Sequence, residues 1–463
     1  MKSKLAFFAL VVVCLFLSVE AQTLARKGMI GVATKVLDEA TAKANNLKVG
    51  EGLVVTVVVP NSTVEQLGVK VGDIITSVNQ KTFGRPEELI AFAQTIYEGD
   101  ALEINLISNG EKSTKKGVAK PKPKETSEYA DIRYDAVDFE LGTLRTITHI
   151  PKGKSGKLPT IFYLQGYPCS SQEFQPNTTN ALKRALDDWV KAGYVVFRVE
   201  RPNVGDSRTK KDCRDTDYDE ELAGNIAAYK KLLKEDFVDT SNVFLFGHSL
   251  GSVTAPLLAE TFQPKGIIVY GVVLRSWFEY FIDIYRIQTT YNGVPRVDSE
   301  RLARDLIPIL YEWLENGKSP DELKKNPEFK AILESPNAPL NNSGNYFFGR
   351  HYNFWHTMNQ KHLAEAWSKV TGKVLSVYGE FDVQAINSTD AENIAKVVNE
   401  THPGNGEFLL LPKTEHIFLK ANSYQEVTEI TASGRLGQAI NEKYNPEVGI
   451  KTVEWMEKVR KGS

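Results

Sequence analysis

The chain has 463 residues, a formal net charge of −2 and a charged fraction of 25%. This length points to at least two domains rather than a single core. A charge so close to balance gives no reason to expect nucleic acid or an anionic membrane as a partner.

The first 21 residues differ from the rest of the chain. A positive start, with Lys2 and Lys4, leads into the almost wholly apolar residues 5–19, and Ala21 closes a small-residue cleavage site. This order predicts a secretory signal peptide over residues 1–21, because the apolar run is short for an uncleaved membrane span. We therefore expect a protein that is exported, either periplasmic or secreted, without stable insertion in a membrane.

Two cysteines remain once this leader is removed, Cys169 and Cys213. Neither belongs to a cluster with metal-ligand spacing, and an even pair in an oxidising compartment can form a disulfide. The sequence makes them a disulfide candidate, although it does not show that they meet.

Residues 26–117 alternate short β-rich runs with two helical stretches. The valine-rich run at residues 53–59 is typical of a strand, and residues 85–96 have the apolar spacing of a helix. Between them, Gly-Val-Lys-Val-Gly-Asp-Ile-Ile at residues 68–75 forms a turn that opens a strand. Through this run above all, the segment resembles a PDZ domain of the type found in exported bacterial trypsin-like proteases.

The resemblance implies a bacterial protein with a peptide-binding module. In that family, backbone N–H groups after a Gly-x-Φ-Gly-Φ start bind the terminal carboxylate of a peptide, and here they map onto Ile30, Gly31 and Val32. The helix over residues 85–96 would form the other wall of the groove. The alternative is a PDZ fold that serves only to pack against its neighbour.

The pattern changes after the PDZ-like segment. Residues 118–127 are rich in proline and lysine and have no periodicity, which predicts a stiff, solvated linker. From residue 128 to residue 463, apolar strands alternate with helices. Such alternation is typical of a mainly parallel sheet with helices on both faces.

Residues 243–251 read Val-Phe-Leu-Phe-Gly-His-Ser-Leu-Gly, and a small-residue segment with helical character follows. Strand, sharp turn and helix are the context of a nucleophile elbow, whose flanking glycines permit the strained turn at the serine, here Ser249. With this motif, residues 128–463 resemble the α/β-hydrolase fold. The fold prediction is therefore an α/β hydrolase with a helical cap insertion, preceded by a small α+β PDZ-like domain.

The resemblance implies a catalytic triad in the chain order serine, acid, histidine. An apolar strand followed by Gly-x-x-Asp makes Asp382 the candidate acid, and a second strand leads into the loop residue His416. Glu380 and Glu415 flank these positions, and we rank both below Asp382 as the acid.

The same resemblance implies an oxyanion hole made of two backbone N–H groups. One is that of Leu250, directly after the nucleophile. The other is that of Tyr167, in the stretch Gln-Gly-Tyr-Pro at residues 165–168, where relatives carry His-Gly-x. Because the donor belongs to the backbone, the change from histidine to Gln165 does not remove it.

A long, mainly helical insertion is predicted at about residues 276–365. Its first part, residues 276–286, is rich in aromatic side chains, and residues 299–316 are amphipathic. We expect this insertion to form a cap over the active site, because such insertions usually decide substrate choice in this fold. The alternative for part of it is simple packing on the sheet.

These features predict a serine hydrolase that acts on carboxylic esters, in which His416 is the general base and acid and Asp382 orients it. A peptidase guided by the PDZ groove and a catalytically inactive binding scaffold are the alternatives. The expected partners are a small-molecule ester or a peptide substrate, and a peptide C-terminus at the groove. The chemistry requires no metal and no organic cofactor.

Overall fold

The computed structural model describes residues 24–176 and 178–462. The predicted signal peptide over residues 1–21 lies outside the described residues. Within those two ranges, no helix is both long enough and apolar enough to span a membrane.

A five-stranded antiparallel sheet forms first, with its strands in chain order. Its strands are β1 (Val32–Val36), β2 (Leu53–Val58), β3 (Ile74–Val78), β4 (Ala101–Ser108) and β5 (Glu111–Val118), and its helices are α1 (Glu39–Ala44), α2 (Thr63–Gln66) and α3 (Pro86–Ala93). Alternate residues of the strands, such as Leu53, Val55, Leu102 and Ile104, point into one core because side chains alternate across a strand. Strand β1 is an edge strand of this sheet, and α3 lies beside it.

A second, mixed sheet of nine strands forms the centre of the rest of the chain, in the order β10-β7-β9-β8-β11-β12-β16-β17 with β6 paired to β7. Its strands are β6 (Ala130–Phe139), β7 (Gly142–Pro151), β8 (Leu158–Leu164), β9 (Val195–Val199), β10 (Arg208–Thr209), β11 (Val238–His248), β12 (Gly266–Tyr270), β16 (Lys373–Gly379) and β17 (Gly406–Leu411). A small separate sheet consists of β13 (Asn342–Ser343), β14 (Tyr346–Phe347) and β15 (Arg350–His351). Strands β9, β8, β11, β12, β16 and β17 are parallel to one another, whereas β6, β7 and β10 pair in the antiparallel direction.

Helices cover both faces of this sheet. Strand β11 shows why: Val243 and Leu245 enter one hydrophobic cluster, and Phe244 and Phe246 enter the cluster on the opposite face. The helices outside the insertion are α4 (Ala181–Lys191), α5 (Tyr218–Leu232), α6 (Gly251–Thr261), α14 (Thr389–Thr401), α15 (Tyr424–Ala432), α16 (Leu436–Glu442) and α17 (Glu447–Lys461).

The insertion between β12 and β16 is mainly helical and also contains the small three-stranded sheet β13–β14–β15. Its helices are α7 (Trp277–Asp283), a π-helical turn (Ile284–Gln288), α8 (Thr289–Tyr291), α9 (Arg296–Leu314), α10 (Pro320–Leu323), α11 (Pro327–Leu333), α12 (Tyr352–Asn359) and α13 (Leu363–Ser368). The amphipathic pattern of α9 places Leu306, Leu310 and Trp313 in the main core. The three short strands carry no signal in the sequence, because two-residue strands have no periodicity.

The stretch at residues 118–127, expected to be a solvated linker, is mostly exposed or half-buried but is held by partners at several points. Val118 still belongs to β5, and Pro121 pairs with Gly28 in an isolated β-bridge. The Glu125 carboxylate is fully buried, 2.5 Å from an Arg198 guanidinium nitrogen and 3.2 Å from His149 Nε2. Pro121, Pro123 and Lys124 are exposed, whereas Glu125 is not. A proline–lysine composition does not reveal partners that are distant in sequence.

A buried group of charges joins the small domain to the large one. The Arg26 guanidinium lies 2.6 Å from Asp206 and 2.7 Å from Glu173, and the other Asp206 oxygen accepts the Lys27 backbone N–H at 2.8 Å. Arg145 also contacts Asp206, at 3.2 Å. Each of these carboxylates has cationic or hydrogen-bonding partners, and these partners offset part of the free-energy cost of removing its charge from water.

Candidate active site

Ser249 occupies the sharp turn between β11 and α6. Its φ is 55°, in the left-handed region, and its backbone N–H donates to the Tyr270 carbonyl at 2.8 Å. A Cβ at Gly247 would lie 2.4 Å from the Gly251 carbonyl oxygen, and one at Gly251 would lie 2.2 Å from the Leu164 carbonyl oxygen. Both flanking positions therefore require glycine, as the turn geometry at such a serine demands.

His416 and Asp382 come together at the ends of β17 and β16. His416 Nδ1 lies 2.9 and 3.0 Å from the two carboxylate oxygens of Asp382, which is fully buried and also accepts the Ala385 N–H at 2.8 Å. Burial lowers the pKa of His416, but the charge and hydrogen bonds of Asp382 outweigh it and raise that pKa above its ordinary value.

The two other acidic residues considered for the triad bond to the loop backbone instead. Glu380 accepts the Lys413 N–H at 2.7 Å, and Glu415 accepts the N–H groups of Ile417 and Leu419, both at 2.8 Å. Burial raises the pKa of Glu415 to about 7. Asp382 is thus the carboxylate that is hydrogen-bonded to the His416 ring.

His248 and Gly271 lie against the loop that carries His416. His248 Nε2 lies 2.8 Å from the His416 carbonyl oxygen and its Nδ1 lies 3.0 Å from the Tyr163 hydroxyl. Because a carbonyl only accepts, Nε2 carries the proton, and burial lowers the pKa of His248 to about 3, which keeps the ring neutral. At Gly271, with φ of 67°, a Cβ would lie 2.6 Å from His416 Cε1. These relations join distant segments, so no local motif reveals them.

Ser249 and His416 line one cavity of about 680 Å³. Among the described residues, Ser249 Oγ has no hydrogen bond to the His416 ring, and such bonds often tighten only when a substrate binds. The insertion supplies a wall of aromatic side chains to this cavity, namely Trp277, Tyr280, Phe281, Phe348 and Trp355. No lysine or arginine of the described chain lines it.

The two backbone donors suggested for an oxyanion hole also line the cavity. Leu250 precedes α6 directly, and Tyr167 follows β8. A Cβ at Gly166 would lie 3.5 Å from Ser249 Oγ, so this loop passes close to the serine. Within the described residues, neither the Leu250 N–H nor the Tyr167 N–H donates a hydrogen bond to another protein group. Both are therefore available to a ligand oxygen.

Cys169 and Cys213 form a disulfide with their Cα atoms 5.8 Å apart. Cys169 lies two residues after Tyr167, so the bond anchors the end of the loop that carries this N–H group.

The three residues suggested for binding a peptide carboxylate lie at the start of β1. The carbonyls of Ile30 and Gly31 accept the N–H groups of Val64 and Val59, and Val32 pairs with Val58. A Cβ at Gly31, with φ of 86°, would lie 2.1 Å from Ser62 Cβ, so this turn requires glycine. The N–H groups of Ile30 and Gly31 have no acceptor in the described part of the chain.

Comparison with known proteins identifies the small domain. A model of the PDZ domain matches residues 28–116. The periplasmic pH-dependent serine endoprotease DegQ of Escherichia coli is 36% identical over 85 residues, which are 18% of this chain and 19% of that protein. The periplasmic serine endoprotease DegP of Escherichia coli is 33% identical over 85 residues, 18% of each chain. The chain thus spans about a fifth of the length of these curated relatives.

Similar solved structures include two esterases. Est1E from Butyrivibrio proteoclasticus is 16% identical, with a TM-score of 0.40 over 66% of this chain and 98% of its own. A thermostable carboxyl esterase from Bacillus coagulans, in complex with glycerol, is 15% identical, with a TM-score of 0.42 over 71% of this chain and 98% of its own.

The match to the PDZ model shows that residues 28–116 are a PDZ domain. A larger domain with a mixed sheet and helices on both faces follows it.

Proposed function

We propose that residues 128–463 are an α/β hydrolase that cleaves carboxylic esters with Ser249, His416 and Asp382. One observation carries the proposal: Ser249, in a left-handed strand-to-helix turn, lines the same cavity as a histidine whose Nδ1 is bonded to a buried carboxylate. Geometry and roles, rather than sequence positions, define such a triad.

The arrangement supports a two-step reaction. His416 Nε2 accepts the proton of Ser249 as Oγ attacks the ester carbonyl, and Asp382 stabilises the imidazolium that forms. The N–H groups of Leu250 and Tyr167 stabilise the oxyanion, His416 returns the proton to the leaving alcohol, and an acyl-enzyme remains. A water molecule, deprotonated by His416, then releases the acid and restores the serine.

The cavity favours uncharged substrates. Its insertion side is aromatic, and no cationic side chain of the described residues lines it to neutralise a carboxylate or phosphate. We therefore expect neutral esters of an apolar acid to be turned over best. An ester that carries a second, free carboxylate should be a poor substrate.

The small domain supplies binding rather than chemistry in this proposal. The PDZ groove between β1 and α3 would take a peptide C-terminus, with the carboxylate on the N–H groups of Ile30, Gly31 and Val32. We also propose that the leader at residues 1–21 directs export to the periplasm or the cell exterior. The Cys169–Cys213 disulfide is stable in such oxidising compartments.

The test is turnover of an ester panel beside chromogenic peptides, in the full mature chain and in Ser249→Ala. We expect ester hydrolysis to fall by at least about 10³-fold in the variant, as loss of a nucleophile requires. Ser252→Ala is the matched control, because this serine lies in the first turn of the helix that follows Ser249 but does not line the cavity.

Each other outcome has a distinct meaning. Peptide cleavage that depends on Ser249 would support a PDZ-guided peptidase in place of the esterase. Turnover that survives in Ser249→Ala would reject the site. No turnover of any substrate by the wild type would favour the binding scaffold.

A further inference from the structure

Two buried arginines hold the loop that carries the Tyr167 N–H. Arg201 donates to the Gly166 carbonyl at 2.5 Å and to the Pro168 carbonyl at 2.6 Å. Arg350, from strand β15 of the insertion, donates to the Tyr167 carbonyl at 3.0 Å. Three consecutive carbonyls thus point at guanidinium groups.

Both arginines share one carboxylate, that of Glu221 on α5. Glu221 lies 2.7 Å from Arg201 and 2.7 Å from Arg350. The side chains are 4%, 1% and 5% exposed for Arg201, Arg350 and Glu221 respectively. Burial alone would raise the pKa of Glu221, but the two guanidinium charges outweigh it and lower that pKa, so the carboxylate stays charged. Two nitrogens of Arg201 approach one oxygen of Glu221 and Arg350 donates to the other, so both carboxylate oxygens have charged partners.

A peptide unit is planar and trans, so its C=O and its N–H point in opposite directions. The unit that joins Gly166 to Tyr167 contains the carbonyl bound by Arg201 and the N–H proposed for the oxyanion hole. A rotation of this unit would turn the N–H away from the cavity and would break the bond to Arg201.

We propose that Arg201 is a positioning residue that fixes the Gly166–Tyr167 peptide with its N–H facing Ser249. This inference rests on the proposed hydrolase function. It assigns Arg201 a role in transition-state stabilisation without contact with the substrate, since preorganised donors stabilise an oxyanion only when they already point at it.

Arg350 provides an internal control. The peptide unit whose carbonyl it holds joins Tyr167 to Pro168, and proline has no N–H. Arg350 therefore restrains the same loop from the same buried cluster but orients no donor. If the arginines served stability alone, the loss of Arg201 would not lower kcat selectively.

The experiment compares Arg201→Met with Arg350→Met in the full mature chain, with neutral esters as substrates. Each change leaves Glu221 one arginine, so the charge balance is matched. We expect Arg201→Met to lower kcat about 100-fold with KM within about threefold, because one oxyanion donor is lost. Arg350→Met should lower kcat by less than about tenfold. Arg201→Lys, which can donate to one carbonyl, should recover part of the loss.

A boronic acid inhibitor adds a readout that stability does not move. It forms a tetrahedral adduct at the serine, and its Kd should rise in Arg201→Met by about the factor lost in kcat, and less in Arg350→Met. Equal losses in the two variants, or a loss confined to KM, would overturn the proposal. Crystal structures of both variants decide the matter independently of activity: an unrotated Gly166–Tyr167 peptide in Arg201→Met would also overturn it.

If wild-type turnover does not depend on Ser249, the proposed function fails, and the crystal structures alone then test the loop assignment. If Arg201→Met does not fold, Arg201→Lys carries the comparison, with thermal unfolding of each variant as the check.

Discussion

At the residue scale, the pKa of His416 decides when the candidate site can work. A general base must be neutral, and Asp382 raises the pKa of His416 above its ordinary value. Activity should therefore fall as the pH drops through that raised pKa. In Asp382→Asn the negative charge is gone, so the pKa falls and the acidic limb of the kcat/KM profile should move to lower pH.

The plateau of kcat in Asp382→Asn should also fall, on the order of 10³-fold or more, because the histidine loses its correct tautomer. Glu380→Gln is the control, since this carboxylate bonds to the Lys413 N–H and not to the ring. If the acidic limb of the kcat/KM profile stays at the wild-type pH in Asp382→Asn, a group other than His416 controls the rate.

The sequence could predict residues whose signal is local. Ser249 follows an apolar strand inside Gly-x-Ser-x-Gly, and Asp382 and His416 each follow a strand end. The positions of Gly271 and His248 beside His416 depend on strands that are adjacent only in the folded sheet. The same is true of Arg201 and Arg350, which approach the Gly166–Pro168 loop from other elements.

At the element scale, the insertion forms the aromatic wall of the cavity. Phe348 stacks on Phe281 with ring centroids 5.5 Å apart, and both line the cavity. In Phe348→Ala, we expect kcat/KM for esters with a bulky apolar acyl group to fall about tenfold, with little change for acetate esters. Losing one apolar contact of this size costs roughly 1–3 kcal/mol of transition-state binding.

Phe329→Ala is the control that tests whether any truncation in the insertion lowers kcat/KM for esters with a bulky acyl group. Phe329 lies on α11 and packs against the core, but it does not line the cavity. Equal losses for long and short acyl groups in Phe348→Ala would argue that the insertion stabilises the fold rather than selects the substrate. The amphipathic spacing of α9 and the aromatic run at residues 276–286 are visible in the sequence, whereas the place of Phe348 and Trp355 in this wall depends on how the insertion packs.

At the scale of the whole molecule, Arg26 joins the PDZ domain to the larger domain. Its guanidinium is buried against Asp206 and Glu173. In Arg26→Gln, Glu173 loses its cationic partner and Asp206 keeps only Arg145, so we expect the free energy of unfolding to fall by about 3 kcal/mol. Calorimetry should then separate the unfolding of the two domains.

Arg85→Gln is the matched control in the same small domain. Arg85 pairs with Glu88 on the surface, with side chains 72% and 40% exposed, and exposed pairs contribute less than about 1 kcal/mol. Equal stability of the two variants would contradict a stabilising role for the buried contact. Composition could not predict this contact, because Arg26 meets partners about 150 and 180 residues further along the chain.

The contacts of residues 118–127 also restrict the distance between the two domains. A flexible linker lets two sites sample a broad range of separations, and the effective concentration of one site at the other then falls with linker length. Here, Pro121 and Glu125 are each held by partners, and Arg26 and Lys27, four and three residues before Ile30, are bound to Asp206. The groove and Ser249 would therefore be held at one separation, whereas a flexible linker would allow a range of separations.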